Sequence, residues 1–138
     1  MRRDLPTLLA LLTLAAPLAS QTRPGHVYYV SYFQALPGKA GAYNKGVAQV
    51  TLPVFDEMVK RKTIVSYVAL NQVAGAGEYS HLYVLEFSDW AALGAFDARR
   101  NEAAQAVLHK SWSEAIAGFP ELRRFVRSET YTPAGQEP

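Results

Sequence analysis

The chain has 138 residues with 14 basic and 12 acidic side chains, three histidines and no cysteine. That near-neutral balance argues against nucleic acid or an anionic membrane surface as a partner. Without cysteine, stability must come from packing or from a second copy rather than from disulfides.

Residues 1–20 read as a secretory signal peptide. Arg2 and Arg3 form a positive start, residues 5–19 are an apolar run rich in leucine and alanine, and "PLAS" supplies small residues near the expected cleavage at Ser20. An uncleaved N-terminal anchor is the competing reading of the same segment. Export to the periplasm or beyond is therefore expected, with no membrane contact after cleavage. Removing the segment takes Arg2, Arg3 and Asp4 with it. The remaining 118 residues carry 12 basic and 11 acidic groups, enough chain for one domain, expected over 21–131. Residues 132–138 are expected to form a flexible tail.

Residues 26–35, "HVYYVSYFQA", are dense in valine and aromatics and predict a first strand that ends at the Pro-Gly turn of "LPGK". From Lys39, Tyr43, Val47, Val50, Val54 and Met58 recur at helical spacing. Pro53 lies inside that run, which predicts one helix kinked near Leu52. "TIVSYVALNQV" (63–73) reads as a second strand, "AGAGEYS" (74–80) as a hairpin loop and "HLYVLEF" (81–87) as a third strand. Ser88 is expected to cap the following helix, with Asp89 adding favourable charge and Trp90, Leu93 and Phe96 facing the core. "DARRN" (97–101) is expected to interrupt that helix. Leu108, Trp112, Ile116 and Phe119 resume the pattern, and 121–131 is the last strand.

The order β-α-β-β-α-β predicts an α+β, ferredoxin-like domain: a four-stranded antiparallel sheet with both helices on one face. Both faces of the first and third strands are apolar, so the uncovered face calls for a second sheet from an identical chain, a sheet-to-sheet homodimer. "LPGK" with Tyr43, "TLPVFDEMVKR" (51–61) around Pro53, and "LEFSDWAALGAF" (85–96) together resemble the dimeric α+β-barrel superfamily, and within it NIPSNAP-like and EthD-like domains. The resemblance implies the fold and the dimer. Relatives range over cofactor-free monooxygenases, haem-degrading enzymes and haem peroxidases, isomerases, polyketide cyclases and uncharacterised proteins. No family catalytic motif is present to carry a residue across.

Candidate chemistry starts with His81 and Tyr83 on one strand face, and with His26, Tyr28, Tyr32 and Gln34 on one face of the first strand. If those faces coincide, His81 or His26 is a candidate general base on an aromatic wall, with Tyr28, Tyr32, Tyr83 and Trp90 contacting a flat organic ligand. The plainer reading leaves both histidines at a wet rim and the tyrosines in core and interface. Glu86, on the face opposite His81, is either a buried proton shuttle with a raised pKa or an ordinary strand-end carboxylate. Arg123 and Arg127, flanking Phe125, and Arg124 form either a carboxylate clamp or a charged edge strand. His109 is a possible but disfavoured axial haem ligand. No cofactor and no metal is expected, because the usual haem, zinc and calcium motifs are missing.

Three readings follow: a small-ligand binding protein with a hydrophobic pocket between helices and sheet, a cofactor-independent enzyme of monooxygenase or isomerase/cyclase type using a histidine base, or a dimeric structural module. The first is preferred, because no acid–base pair stands at fixed spacing.

Overall fold

Strand β1 (Val27–Ala35) runs through the middle of the sheet in the computed structural model, which describes residues 25–135. The expected signal peptide and the last three residues of the expected tail lie outside the described residues. After β1, the Leu36 carbonyl accepts from Lys39 N–H at 2.9 Å across Pro37 and Gly38. Gly38 takes φ +72°, the left-handed conformation that a type II turn requires after proline.

The helical run that follows is continuous from Ala40 to Lys60, as α1 (Ala40–Gly46), a π-helical turn (Val47–Thr51) and α2 (Leu52–Lys60). The expected kink at Pro53 is realised as this wider turn. In α geometry the Pro53 ring would press on the carbonyl four residues back, and proline has no N–H to donate. Instead the Leu52 N–H reaches back five residues to the Val47 carbonyl. The extra residue turns Thr51 and Phe55 into the core beside Tyr43, Val47, Val54 and Met58, and leaves Val50 half-buried.

Strand β2 (Ser66–Asn71) is shorter than the expected 63–73. Both the N–H and the hydroxyl of Thr63 bond to the Met58 carbonyl at 2.9 Å, so the chain wraps the end of α2 before extending. Strand β3 (His81–Phe87) matches its expected bounds. At the sharp turn after it, Asp89 rather than Ser88 is the cap: its carboxylate accepts the Ala92 N–H at 2.7 Å, and the Ser88 hydroxyl only donates to Asp89. Helices α3 (Trp90–Gly94) and α4 (Phe96–Leu108) meet at Ala95. The "DARRN" segment therefore continues a helix instead of breaking one, since Arg100 bonds back to Asp97 at 2.6 Å and Arg99 pairs forward with Glu102. The break falls later, at His109, whose left-handed φ of 56° ends α4. Helix α5 (Trp112–Ala115), capped by Ser111 and Glu114, and a 3₁₀ turn (Phe119–Glu121) lead into β4 (Arg123–Tyr131).

The sheet order is β2-β3-β1-β4, all antiparallel, with every helix on one face: the expected ferredoxin-like fold. Val27, Tyr83, Leu85 and Phe87 point to the helices, and the buried Ala103 and Ala104 let α4 lie close against α2. Opposite residues of an antiparallel pair share a face. Pairing His81 with Phe33 and Tyr83 with Ser31 puts those four beneath the helices. Tyr28 pairs with Glu86 and Tyr32 with Leu82 on the other, open face. The two faces expected to combine the histidines and tyrosines therefore do not coincide.

A second register detail sorts the arginines. Between Tyr32 and Phe33 the pairing to β4 slips: Tyr32 faces Arg127 and Phe33 faces Phe125, leaving Val126 as the extra residue of a bulge. Arg127 consequently lies on the open face, while Phe125 and Arg123 lie on the helix face, so the expected common face of Arg123 and Arg127 is not formed. Replacing Asp89 by alanine should cost about 1 kcal/mol, whereas Ser88→Ala should stay within about 0.5 kcal/mol. Urea unfolding midpoints of the two variants check this directly.

Candidate functional site

A cavity of about 240 Å³ lies between the helix face of the sheet and the helical layer. Tyr29, Ser31 and Phe33 of β1 and Tyr83 and Leu85 of β3 form its floor. Thr51 and Phe55, Phe96 and Arg100, and Trp112 and Ile116 form its roof, with Arg123 and Phe125 of β4 closing one side. A cavity of about 150 Å³ lined by apolar side chains accommodates benzene, so this one has room for an aromatic ring and a substituent. A shallower groove beside it, lined by Phe119, Pro120 and Arg124, shares Phe33, Ile116, Arg123 and Phe125. Phe125 is 57 % exposed where the two meet.

Two guanidinium groups reach into this aromatic space. Arg123 stacks on the Phe33 ring at 3.6 Å and lies near the rings of Tyr43 and Phe119. Arg100 lies 4.5 Å from the Phe96 centroid and 4.9 Å from that of Trp112. Burial lowers the pKa of both, and Arg123 lowers that of Arg100 further by repulsion. Both nonetheless stay charged, because arginine does not lose its proton in proteins. Tyr83 and Tyr43 share a hydrogen bond of 2.6 Å, and Thr51 bonds to Tyr83 and Tyr43 to Arg123, so hydroxyls link the floor to the guanidinium. Burial is the main reason that both phenols titrate above their ordinary range.

Among the expected site residues, Tyr83 and Arg123 line the cavity. His81 is buried beside it with both ring nitrogens engaged: Nε2 donates to Asn44 Oδ1 at 2.6 Å, and Nδ1 accepts from the Ser80 hydroxyl at 2.7 Å. Burial first, and the charge of Arg123 second, push its pKa down, so it is held neutral. His26, Tyr28 and Tyr32 occupy the open face. There His26 Nδ1 donates to Glu86 at 2.7 Å, joined by Ser66 at 2.6 Å and Tyr28 at 3.4 Å. Burial alone would raise the Glu86 carboxyl, but these bonds together outweigh it and hold the pKa low, the opposite of a raised shuttle. Tyr32 donates to Glu129, which also accepts from Arg127 and Tyr131. Trp90 is half-exposed at the start of α3, away from the cavity, and His109 is exposed at the end of α4. Among the described residues, no cluster of His, Asp and Glu is arranged to hold a metal ion, and no helix is long and apolar enough to cross a membrane.

Trp112 and Arg100 are among the cavity residues that sequence reasoning missed. Trp112 served there only as one position of a helical pattern, and Arg100 fell in the segment expected to break the helix. The signal for Arg100 was present in its i−3 partner Asp97, a pair that supports helix and not loop.

No family model matches the chain, and no curated protein matches it. Solved structures do. A dabb family protein with a ferredoxin-like fold from Mesorhizobium loti is similar at 16 % identity and TM-score 0.54, over 80 % of this chain and 99 % of that one. SnoaB, a cofactor-independent oxygenase from Streptomyces nogalater, is similar at 12 % identity and TM-score 0.51, over 83 % and 98 %. A Bacteroides fragilis protein of unknown function, described as dimeric and ferredoxin-like, is similar at 11 % identity and TM-score 0.54, over 78 % and 96 %. At such identities the likeness shows a shared fold.

Because the folded state resists protonating His81, the unfolded chain takes up that proton first, near pH 6.5. Stability should therefore fall as pH drops below about 6.5, until the lower folded pKa is passed. His81→Gln should flatten this part of the profile, as thermal unfolding from pH 5 to pH 8 will reveal.

Proposed function

We propose that this chain is the protomer of an exported homodimeric protein that binds a small aromatic ligand in the cavity between sheet and helices. The observation that carries the reading is the cavity itself, whose walls are mainly rings, among them Tyr29, Phe33, Phe55, Phe96 and Trp112. Such a void speaks against a purely structural module, which would fill it. Ligand binding is also favoured over catalysis by a histidine base, because neither His26 nor His81 lines the cavity and both nitrogens of His81 are occupied.

The open sheet face supports the dimer. Val68 and Leu70, each 49 % exposed, continue with the half-buried Leu82 and Val84 as an apolar strip beside the His26–Glu86 and Arg127–Glu129 pairs. A second copy laid against this face would remove the strip from water. The basic start and apolar run of residues 1–20 support export. The "LPGK", Pro53 and "LEFSDWAALGAF" segments support a place among NIPSNAP-like or EthD-like domains.

Sedimentation at micromolar concentration should give a dimer for the wild type and a monomer for Val84→Asp, which would bury a carboxylate in the interface. Titration with naphthalene-sized aromatics should quench tryptophan fluorescence in Trp90→Phe and lose most of the effect in Trp112→Phe. A wild-type monomer with no quenching by any aromatic probe would contradict both halves of the proposal.

A further inference from the structure

We infer that the cavity takes its aromatic ligand as a carboxylate, held by Arg123 and Arg100; this rests on the ligand-binding reading above and names the class of ligand. The charge balance of the cavity motivates it. Arg123 has no carboxylate partner among the described residues, although it lies beneath the helices with its guanidinium carbon 3.6 Å from the Phe33 ring centroid. Arg100 has one, Asp97, whose side chain is 86 % exposed and sits outside on the same helix. Two cations thus face a space with no anion of its own among its lining residues.

The unused donors point the same way. Arg123 Nη1 and Arg100 Nε are both shut off from solvent and have no hydrogen-bond partner among the described residues. A buried N–H on a charged group without an acceptor is costly, and a buried charge without a counter-charge more so. The two arginines, contributed by β4 and α4, border one small cavity that no acidic side chain lines, and one occupant with acceptor oxygens and negative charge would answer both once these donors turn towards it. Rings on both guanidinium groups hold them in place, which suits bidentate recognition of a carboxylate. The space left after one benzene-sized ring is small, which suits that group.

The histidines play no part in this clamp, so the inference concerns recognition and not turnover. Arg124, expected as a clamp residue, borders only the outer groove, and Arg127 is paired with Glu129 and Glu78 on the open face. Arg123 alone of those three reaches the cavity, and Arg100 takes the place of the other two.

The test is calorimetric titration of the full protein with benzoate, phenylacetate and 2-naphthoate, each against its neutral amide. At least one acid should bind tenfold or more tightly than its amide. Arg123→Met should remove that preference while retaining the binding of the neutral amide. Arg123→Met should also unfold at the same temperature as the ligand-free wild type or higher, since it deletes a buried unpaired charge; Arg100→Met serves as the second variant should Arg123→Met fail to fold. Equal binding of acid and amide would overturn the carboxylate inference and leave aromatic binding intact. Binding of neither would overturn both.

Discussion

One extra residue in β4 decides which of that strand's arginines reaches the helix-facing cavity. Without a bulge, alternate residues of β4 would stay on one side, and Arg123, Phe125 and Arg127 would share a face. The slip opposite Tyr32 and Phe33 breaks that parity at Val126. Arg127 goes out to Tyr32, Glu129 and Glu78, where it is paired and partly wet. Arg123 goes in, against Phe33 and under Phe119, where no acidic side chain follows it. This backbone event separates Arg123 from Arg127 and leaves Arg123 beside Arg100 of α4, and the proposed ligand class depends on that pair.

The two faces of the sheet solve different problems with similar residues. Beneath the helices, the phenols of Tyr43 and Tyr83 satisfy each other, and the imidazole of His81 is fixed in one tautomer by Asn44 and Ser80. These are buried polar groups with their partners supplied by the fold. On the open face, His26, Tyr28, Tyr32, Glu86 and Glu129 form two small networks around an apolar strip. In a sheet-to-sheet dimer those networks would become partly desolvated, and pairing them within one protomer lets the valines and leucines meet without stranding a charge. Among the described residues, the buried side-chain donors without a partner belong to Arg100 and Arg123, beside the cavity.

Much of the fold was legible in the sequence because it is written in periodicity and punctuation. β3 ran from His81 to Phe87 as its alternation required, and Pro37-Gly38 turned the chain where expected. The helix through Pro53 was continuous because its apolar phase never broke. What failed were features decided by single hydrogen bonds. Asp89 outcompeted Ser88 for the Ala92 N–H, and the Asp97–Arg100 pair held a helix through a run that looked like loop. The candidate site was less legible, since strand register determines which residues meet and a one-residue shift exchanges the faces. His26 and His81 share a residue type but lie on opposite sides of the sheet. The bulge at Val126 has no glycine to announce it, and Arg100 is separated from Arg123 by 22 residues of other structure.

A crystal structure of the purified protein grown with benzoate tests the account most directly. The expected result is the carboxylate within about 3 Å of the guanidinium groups of Arg123 and Arg100, its ring among Phe33, Phe96 and Trp112, and the bulge at Val126 turning Arg123 beneath the helices. An unbroken β1–β4 register with Arg123 paired to an acidic group, or a core in which side chains fill the cavity, would contradict it.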